Sequence, residues 1–448
     1  MQTAAHKKAG KVIVGLGKTG LSLARYLHSQ GESFTIVDSR QQPPGIKEAR
    51  REFPQVDIQL GPFNETTLLA AQELLVSPGV DLRQKALTRA RQAAIPIHSD
   101  IHLFAHKVSV PIVAVTGSNA KSTVVSLLGH MAETAGVNVE VAGNIGKPVL
   151  DLLAEKPRQL YVLEISSFQL ESTMDLGAEV ACILNISADH MDRYDSLEDY
   201  REAKFRIFQH CKQAVVNRDD PQSIPELPDS VRQWSYGLDE GGQDQFGLIR
   251  QGGESWLAFN RQALMPVTEL KLAGRHNQSN ALAALALGNA LGLDRQLMLK
   301  ALRTFKGLPH RCQFIAEIDG VKYYNDSKGT NVGASIAALE GLGGDRNVLL
   351  LAGGQGKGAD FSELQDCLAR HGKEVIVYGE DAERIRLAVS PVIKVDRAVS
   401  LQDAVSRARK KASAGDIVLL SPACASFDMF KNFEHRGEMF VEAVEALH

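Results

Sequence analysis

Runs of four or five apolar residues alternate with stretches in which apolar positions recur every three to four residues. That alternation predicts parallel strands covered by helices, an α/β architecture. Strands are expected at residues 11–14, 34–37, 74–76, 112–115, 161–164, 181–185, 348–352, 375–378 and 417–420. Helical periodicity runs through residues 21–28, 124–132, 197–208 and 280–291. Residues 313–318 and 321–324, joined through Asp319-Gly320, read as a β-hairpin. Residues 217–270 are rich in Asp, Gly, Pro and Gln, and predict a small irregular or antiparallel appendage.

Two breaks divide this pattern. One falls near residues 98–100, after a complete set of βα units. The other falls near Leu308, where the alanine-rich helix pattern has ended and a new strand pair begins. Three domains are expected, at 1–99, 100–308 and 309–448: a Rossmann-like first domain, a central P-loop ATPase-type parallel sheet and a Rossmann-like last domain. The 448 residues suit that division at roughly 100 to 200 residues per domain.

Composition narrows the partners. The chain has 53 acidic and 50 basic side chains, a formal charge of −3, and no basic block beyond Lys7-Lys8. Nucleic acid and polybasic membrane binding would need concentrated positive charge and are disfavoured. Five widely spaced cysteines with no C-x-x-C pair indicate neither a disulfide framework nor a thiolate zinc site. With no apolar leader and no long uncharged apolar run, the expectation is a cytoplasmic monomer acting on small molecules.

Chemistry concentrates at three places. Gly15-x-Gly17-x-x-Gly20 follows a strand and opens a helix, and Asp38 ends the next strand. This spacing suits a nucleotide diphosphate at a helix N-terminus, or simply tight strand–helix packing. The segment from Ile112 to Thr123 is a buried strand, a turn and then Lys121-Ser122-Thr123 entering a helix. There Lys121 would reach the outer phosphates of ATP, Ser122 or Thr123 would hold Mg²⁺, and the amides of Gly117, Ser118, Asn119 and Ala120 would cover the rest. Ala120 stands where glycine usually precedes the lysine, so its backbone must tolerate a Cβ. Third, Glu164 closes an apolar strand and is placed for Mg²⁺, or else faces solvent, while His190 follows the next strand. Lys204 shares a helix face with Tyr200 and Phe208. It either snorkels or, if desolvated, is neutral enough to add CO₂ and become an anionic carbamate.

Together, Val115-Thr-Gly-Ser-Asn-Ala-Lys-Ser-Thr123, Gly143-Asn-Ile-Gly146, Glu164-Ile-Ser-Ser, Asp189-His-Met-Asp-Arg-Tyr194, Lys204, His276-Asn-Gln-Ser-Asn280 and Pro309-His-Arg311 resemble the Mur ligases, the ATP-dependent amino-acid-adding enzymes of peptidoglycan synthesis. Three C-terminal stretches, Asn325-Asp-Ser-Lys-Gly-Thr-Asn331, Gly353 to Asp360 and Ser421 to Asp428 with Lys431-Asn-Phe-Glu434, resemble the members that add D-glutamate. The resemblance implies D-glutamate, ATP and UDP-N-acetylmuramoyl-L-alanine as substrates. It implies that Gly17, Lys18, Thr19, Asp38, Ser39, Arg40, Ser77, Gly79, Asn144, Ser166 and His190 face the UDP substrate. Asn277, Asn280, Arg311 and Asp326 would contact ATP, and Lys328, Thr330, Lys357, Ser426, Phe427 and Phe433 would surround D-glutamate. Two Mg²⁺ ions are implied, one on Ser122 or Thr123 with Glu164 and one on His190 with carbamylated Lys204. Lys121, Glu164, His190 and Lys204 are the catalytic candidates. The rival readings are a folyl-polyglutamate-type ligase, which leaves the first domain without a use, and an NAD-dependent dehydrogenase, which leaves Lys121-Ser122-Thr123 unexplained. A nucleotide-gated binding protein without turnover is a third.

Overall fold

The computed structural model describes residues 10–272 and 274–447, so the Lys7-Lys8 pair lies outside the described residues. Three sheets follow one another along the chain. The first comprises β1 (Lys11–Val14), β2 (Phe34–Asp38), β3 (Ile58–Leu60), β4 (Leu74–Val76) and β5 (Ile97–His98), all parallel, in the order β3-β2-β1-β4-β5. The second comprises β6 (Ile112–Thr116), β7 (Val139–Gly143), β8 (Leu160–Glu164), β9 (Val180–Ile183), β10 (Gln213–Asn217), β11 (Arg232–Tyr236), β12 (Gln245–Gln251), β13 (Glu254–Phe259) and β14 (Gln262–Pro266). Its order is β14-β13-β12-β11-β10-β9-β6-β8-β7. The third comprises β15 (Gln313–Ile318), β16 (Val321–Asn325), β17 (Val348–Gly353), β18 (Gly372–Tyr378), β19 (Val395–Arg397) and β20 (Ile417–Leu420), ordered β15-β16-β20-β17-β18-β19.

The class is α/β, as the alternating pattern predicts. In β6 every residue is buried, because helices cover both faces of a parallel sheet and an unbroken apolar run results. One face of the central sheet packs on the helix Lys121–Thr134 and on Arg275–Ala290, where Ala281 to Leu287 are all buried. The latter helix begins five residues earlier than its apolar pattern, since its first turn is polar and faces a cavity. The other face shares a single apolar cluster with the first sheet, Ile13, Leu23 and Leu27 joining Phe104, Ala114 and Leu163. Two further clusters are built from the third sheet and its helices.

The antiparallel piece at residues 245–266 is continuous with the central sheet, because β11 pairs in parallel with both β10 and β12. The predicted strand at 181–185 stops at Ile183. Beyond it Asn185 turns its carboxamide to accept from Asn119 N–H at 2.8 Å, so the chain leaves the sheet to support the loop after β6. The hairpin forms as expected, with Asp319 (φ 50°) and Gly320 (φ 74°) supplying the left-handed turn.

Candidate active site

The carboxyl ends of β6 and β8 lie side by side at one edge, where an open parallel sheet presents ligands. Beyond β6 the turn Gly117–Ala120 leads into the helix at Lys121, whose first N–H groups are unpaired by helix geometry. Ala120 resolves its Cβ problem by adopting a left-handed conformation, φ 66°. Lys121 Nζ folds onto its own loop, donating to Gly117 O at 2.6 Å and Ser118 O at 3.0 Å. Burial lowers its pKa, partly offset by Glu164 and Asp189.

Glu164 ends β8 and is 2% exposed. Its Oε1 accepts from Asn144 Nδ2 at 2.8 Å, while Oε2 is buried without a partner. A buried carboxylate oxygen left unpaired costs about 1 to 3 kcal/mol, a cost a cation would remove. Gly143 lets the end of β7 run close against the end of β8: its φ is 103°, and a Cβ there would lie 2.2 Å from the Glu164 backbone oxygen.

Lys204 is 1% exposed, donating to Gly117 O at 3.0 Å and Thr116 Oγ1 at 3.3 Å, with its Nζ 4.5 Å from the Tyr200 ring centre. Burial, and then the nearby charge of Lys121, drive its pKa well below the ordinary lysine value. At 1% exposure the Lys204 ammonium does not reach solvent as a snorkelling lysine would. Tyr200 holds the phosphate loop through Ser118 Oγ at 3.1 Å.

Three cavities meet this edge. The largest, about 780 Å³, is lined by Gly17, Lys18, Thr19, Asp38, Ser39, Arg40, Ser77, Gly79 and Asn144 together with Lys328 and Phe433. Asp38 is held by its own chain: Leu16 N–H donates at 2.6 Å and Arg40 Nη2 at 2.7 Å. Burial would raise its pKa, but the Arg40 and Leu16 bonds keep it below the carboxylate range. Gly20 answers to packing, since a Cβ there would lie 2.0 Å from Gly15 O, whereas Gly17 has open space beside it. A second cavity, about 190 Å³, is lined by Asn119, Ala120, Thr123, Asn277, Asn280, Arg311 and Asp326. Lys328 borders both cavities. Arg311 reaches from the third sheet's side to donate to Ser122 Oγ at 2.8 Å. Asp326 is buried, and that burial pushes its carboxyl up to about 6 despite the hydroxyl of Ser421 at 2.7 Å.

The third cavity, about 50 Å³, gathers His190, Thr330 and Lys357. His190 sits in a left-handed conformation, φ 58°, with its ring edge-on to Phe168 at 4.7 Å. The residues predicted around D-glutamate therefore do not assemble in one place. Lys328 stacks 3.7 Å from the Phe433 ring centre beside the largest cavity, Ser426 is buried with its carbonyl accepting from Phe430 N–H, and Phe427 is 67% exposed. Ser166 spends its side chain on a capping box with Gln169, and it is Gln169 that lines the largest cavity. The Ser-x-x-Gln spacing was a readable signal for the capping box, though not for the cavity. Asp100 and Gln84 also line cavities without a motif to announce them, whereas His276 and Glu434 do so as the first and last residues of the stretches His276-Asn-Gln-Ser-Asn280 and Lys431-Asn-Phe-Glu434.

Magnesium and ATP fit these residues. Among the described residues no three His, Cys, Asp or Glu side chains form a metal cluster. Mg²⁺ in nucleotide sites uses one or two protein ligands with phosphate oxygens and water, and the unpaired Glu164 Oε2 is an oxygen donor of the kind required, as are the hydroxyls of Ser122 and Thr123.

Family profiles agree with this architecture. The Mur ligase MurD-like N-terminal domain matches residues 9–99, the Mur ligase middle domain residues 115–288, and the Mur ligase glutamate ligase domain residues 310–424. The chain belongs to the Mur ligase family. Within it, the chain is 52% identical over 439 residues, 98% of each chain, to the UDP-N-acetylmuramoylalanine--D-glutamate ligase of Pseudomonas fluorescens Pf-5, and equally so to that of Pseudomonas aeruginosa PAO1. Its fold is similar to that of a pseudomurein peptide ligase type C from Methanothermus fervidus, with a TM-score of 0.64 at 19% identity, covering 98% of this chain and 100% of the other.

Proposed function

We propose that this chain is an ATP-dependent ligase of peptidoglycan synthesis that joins D-glutamate to UDP-N-acetylmuramoyl-L-alanine, releasing ADP and phosphate. The observation that carries the reading is 52% identity over 98% of the chain to enzymes of that name. The paired cavities joined at Lys328 support it, since one suits a nucleotide-linked sugar and the other ATP, with the phosphate loop between them.

A carboxylate resists attack by an amine because its leaving group would be oxide. The alanyl carboxylate therefore takes the terminal phosphoryl group of ATP, giving an acyl phosphate and ADP. The amine of D-glutamate adds to the acyl carbon, and the tetrahedral intermediate expels phosphate as the nitrogen loses a proton. The first step brings two anions together, so alignment and positive charge do most of the work. Lys121 and Arg311 supply fixed cations at the loop, and Lys328 stands where both cavities open. Ser122, Thr123 and Glu164 would hold one Mg²⁺ and His190 with Lys204 a second, which when bound neutralise phosphate charge. Lys204 suits that role as a carbamate: its lowered pKa leaves a neutral amine whose lone pair adds to CO₂ and whose proton departs. Thr330, Lys357, Ser426 and Phe427 would receive D-glutamate on closure of the third domain over the central one. The first domain, 1–99, would hold the UDP moiety, 100–308 ATP, and 309–448 the amino acid.

An amino-acid panel tests the reading, with UDP-N-acetylmuramoyl-L-alanine and ATP present and the product identified by mass. D-glutamate alone should yield the ligated product. A folate accepted in place of the UDP substrate, or no product with any amino acid, would refute it.

A further inference from the structure

Two loops that face each other across the joint between the first and central domains exchange arginines. Arg83, from the first domain, donates to Asp195 Oδ1 at 3.1 Å and to Asp192 O at 3.3 Å on the loop that follows β9. Arg193, from that loop, reaches back to Val80 O at 3.4 Å and faces Asp81 Oδ2 at 3.8 Å. Asp81 is the shared partner, since its Oδ2 also accepts from Arg83 Nη2 at 2.9 Å. The first loop carries Ser77, Pro78, Gly79, Val80 and Gln84, which line the 780 Å³ cavity. The second carries His190.

The Arg83 bridge does little for stability, since Arg83 is 46% exposed and Asp195 87%. Arg193 is more enclosed, at 15% exposure, and also faces Glu171 Oε2 at 3.6 Å. Their consequence is positional. The guanidinium of Arg193 lies 4.3 Å from the Phe168 ring centre, and Phe168 abuts the His190 ring. The turn that carries His190 closes on itself, Arg193 N–H donating to His190 O at 2.8 Å. A non-glycine residue in the left-handed region persists only where its surroundings hold it there. Here Phe168 presses on His190 from one side, and Arg193 anchors the other end of the turn to the wall of the UDP-substrate cavity. The same turn continues through Tyr194, packed against Tyr200, to the phosphate loop at Ser118.

We propose that Arg83 and Arg193 form a reciprocal clasp that positions His190 through the loop lining the UDP-substrate cavity, so that occupancy of that cavity sets the readiness of the phosphoryl-transfer site. This deepens the ligase reading and rests on it. Neither arginine touches substrate in this role; both are positioning residues.

The test compares Arg193→Gln, Arg193→Lys, Arg83→Gln and the double Gln variant in full-length enzyme. It measures kcat for ligation, melting temperature, and affinity for a non-hydrolysable ATP analogue without UDP substrate. Arg193→Gln should lower kcat between about tenfold and a hundredfold, the loss expected of a slightly misplaced group. Analogue affinity should stay at its wild-type value, and in Arg83→Gln the melting temperature as well. Arg193→Lys should recover part of kcat, and the double variant should lose less than the product of the two single losses. Should Arg193→Gln fail to fold, Arg83→Gln, changed at a half-exposed side chain, carries the same expectation. Wild-type kcat in both single variants overturns the clasp, as does a kcat loss matched by equal losses of melting temperature and analogue affinity. A wild-type chain that does not ligate overturns the ligase reading and the clasp with it, whereas a ligating wild type with unaffected variants overturns the clasp alone.

Discussion

The carbamate proposed at Lys204 would rest on burial reversing the use of a side chain. A charged lysine beside Lys121 would repel a metal ion, but deep among Tyr200 and the β6 strand end its ammonium form is disfavoured. We expect isotopically labelled bicarbonate to give a carbamate carbon signal in the wild-type enzyme near neutral pH, and none in Lys204→Ala. The Ala variant should lose turnover, partly restored by added short carboxylic acids; a fully active enzyme without the signal would contradict the assignment. Lys328 offers a titration. Burial, with Arg311 adding to it, pushes its amine down to about 8. Its charge is therefore complete below that value and lost as pH rises through it, which weakens attraction for an anionic substrate. In the free enzyme, kcat/KM for the UDP substrate should fall on an alkaline limb near pH 8. Lys328→Arg should move that limb to higher pH, and an unmoved limb would assign it to another group.

The helix that opens at Asp100 joins the first two domains, and its first residue is a liability at neutral pH. Asp100 is 3% exposed, its Oδ1 has no hydrogen-bond partner, and burial pushes its carboxyl up to about 6. A raised pKa favours the folded state only while the group is protonated. That contribution is complete below the unfolded value of 3.8 and vanishes as pH rises through about 6. Asp100→Asn should thus stabilise at pH 8 by something on the order of 3 kcal/mol and do little at pH 4, as denaturant titrations at the two values would show. Nothing in the sequence around Asp100 announced this burial, because it depends on the central sheet packing against the first. The phosphate loop, by contrast, was readable because strand, turn and helix are contiguous there. The hairpin through Asp319-Gly320 was readable for the same reason. β4, only three residues long, was readable because Leu74-Leu-Val76 is an unbroken apolar run, whereas β3 (Ile58–Leu60), β5 (Ile97–His98) and β19 (Val395–Arg397) carry polar residues and form because neighbouring strands supply their partners. β7 and β10 also went unread, having residues of mixed polarity at sheet positions. Lys328 was assigned to the amino acid from its motif, and its position between two cavities follows from how β16 sits against the central domain, which no local pattern encodes.

The first two domains share an apolar cluster, whereas the third has its own and meets the central one through polar bridges. The proposed closure belongs to the third. Asn331 stands at that joint, its Oδ1 accepting from Ala334 N–H at 2.8 Å to cap a helix while its Nδ2 donates to Asp189 at 3.0 Å and Asn119 at 3.2 Å. Asn331→Asp keeps the cap and loses the bridge. It should leave melting temperature nearly unchanged and raise KM for D-glutamate about tenfold, the worth of a charge-assisted bond of roughly 1.4 kcal/mol or more. An unchanged KM would show that this bridge between the two domains does not help form the D-glutamate site. Transfer of a phosphoryl group to the alanyl carboxylate is the central step of the proposed reaction. Following a heavy-oxygen label placed in that carboxylate tests it most directly: one labelled oxygen should appear in the released phosphate for each amide bond made, and phosphate free of label would contradict the proposed chemistry.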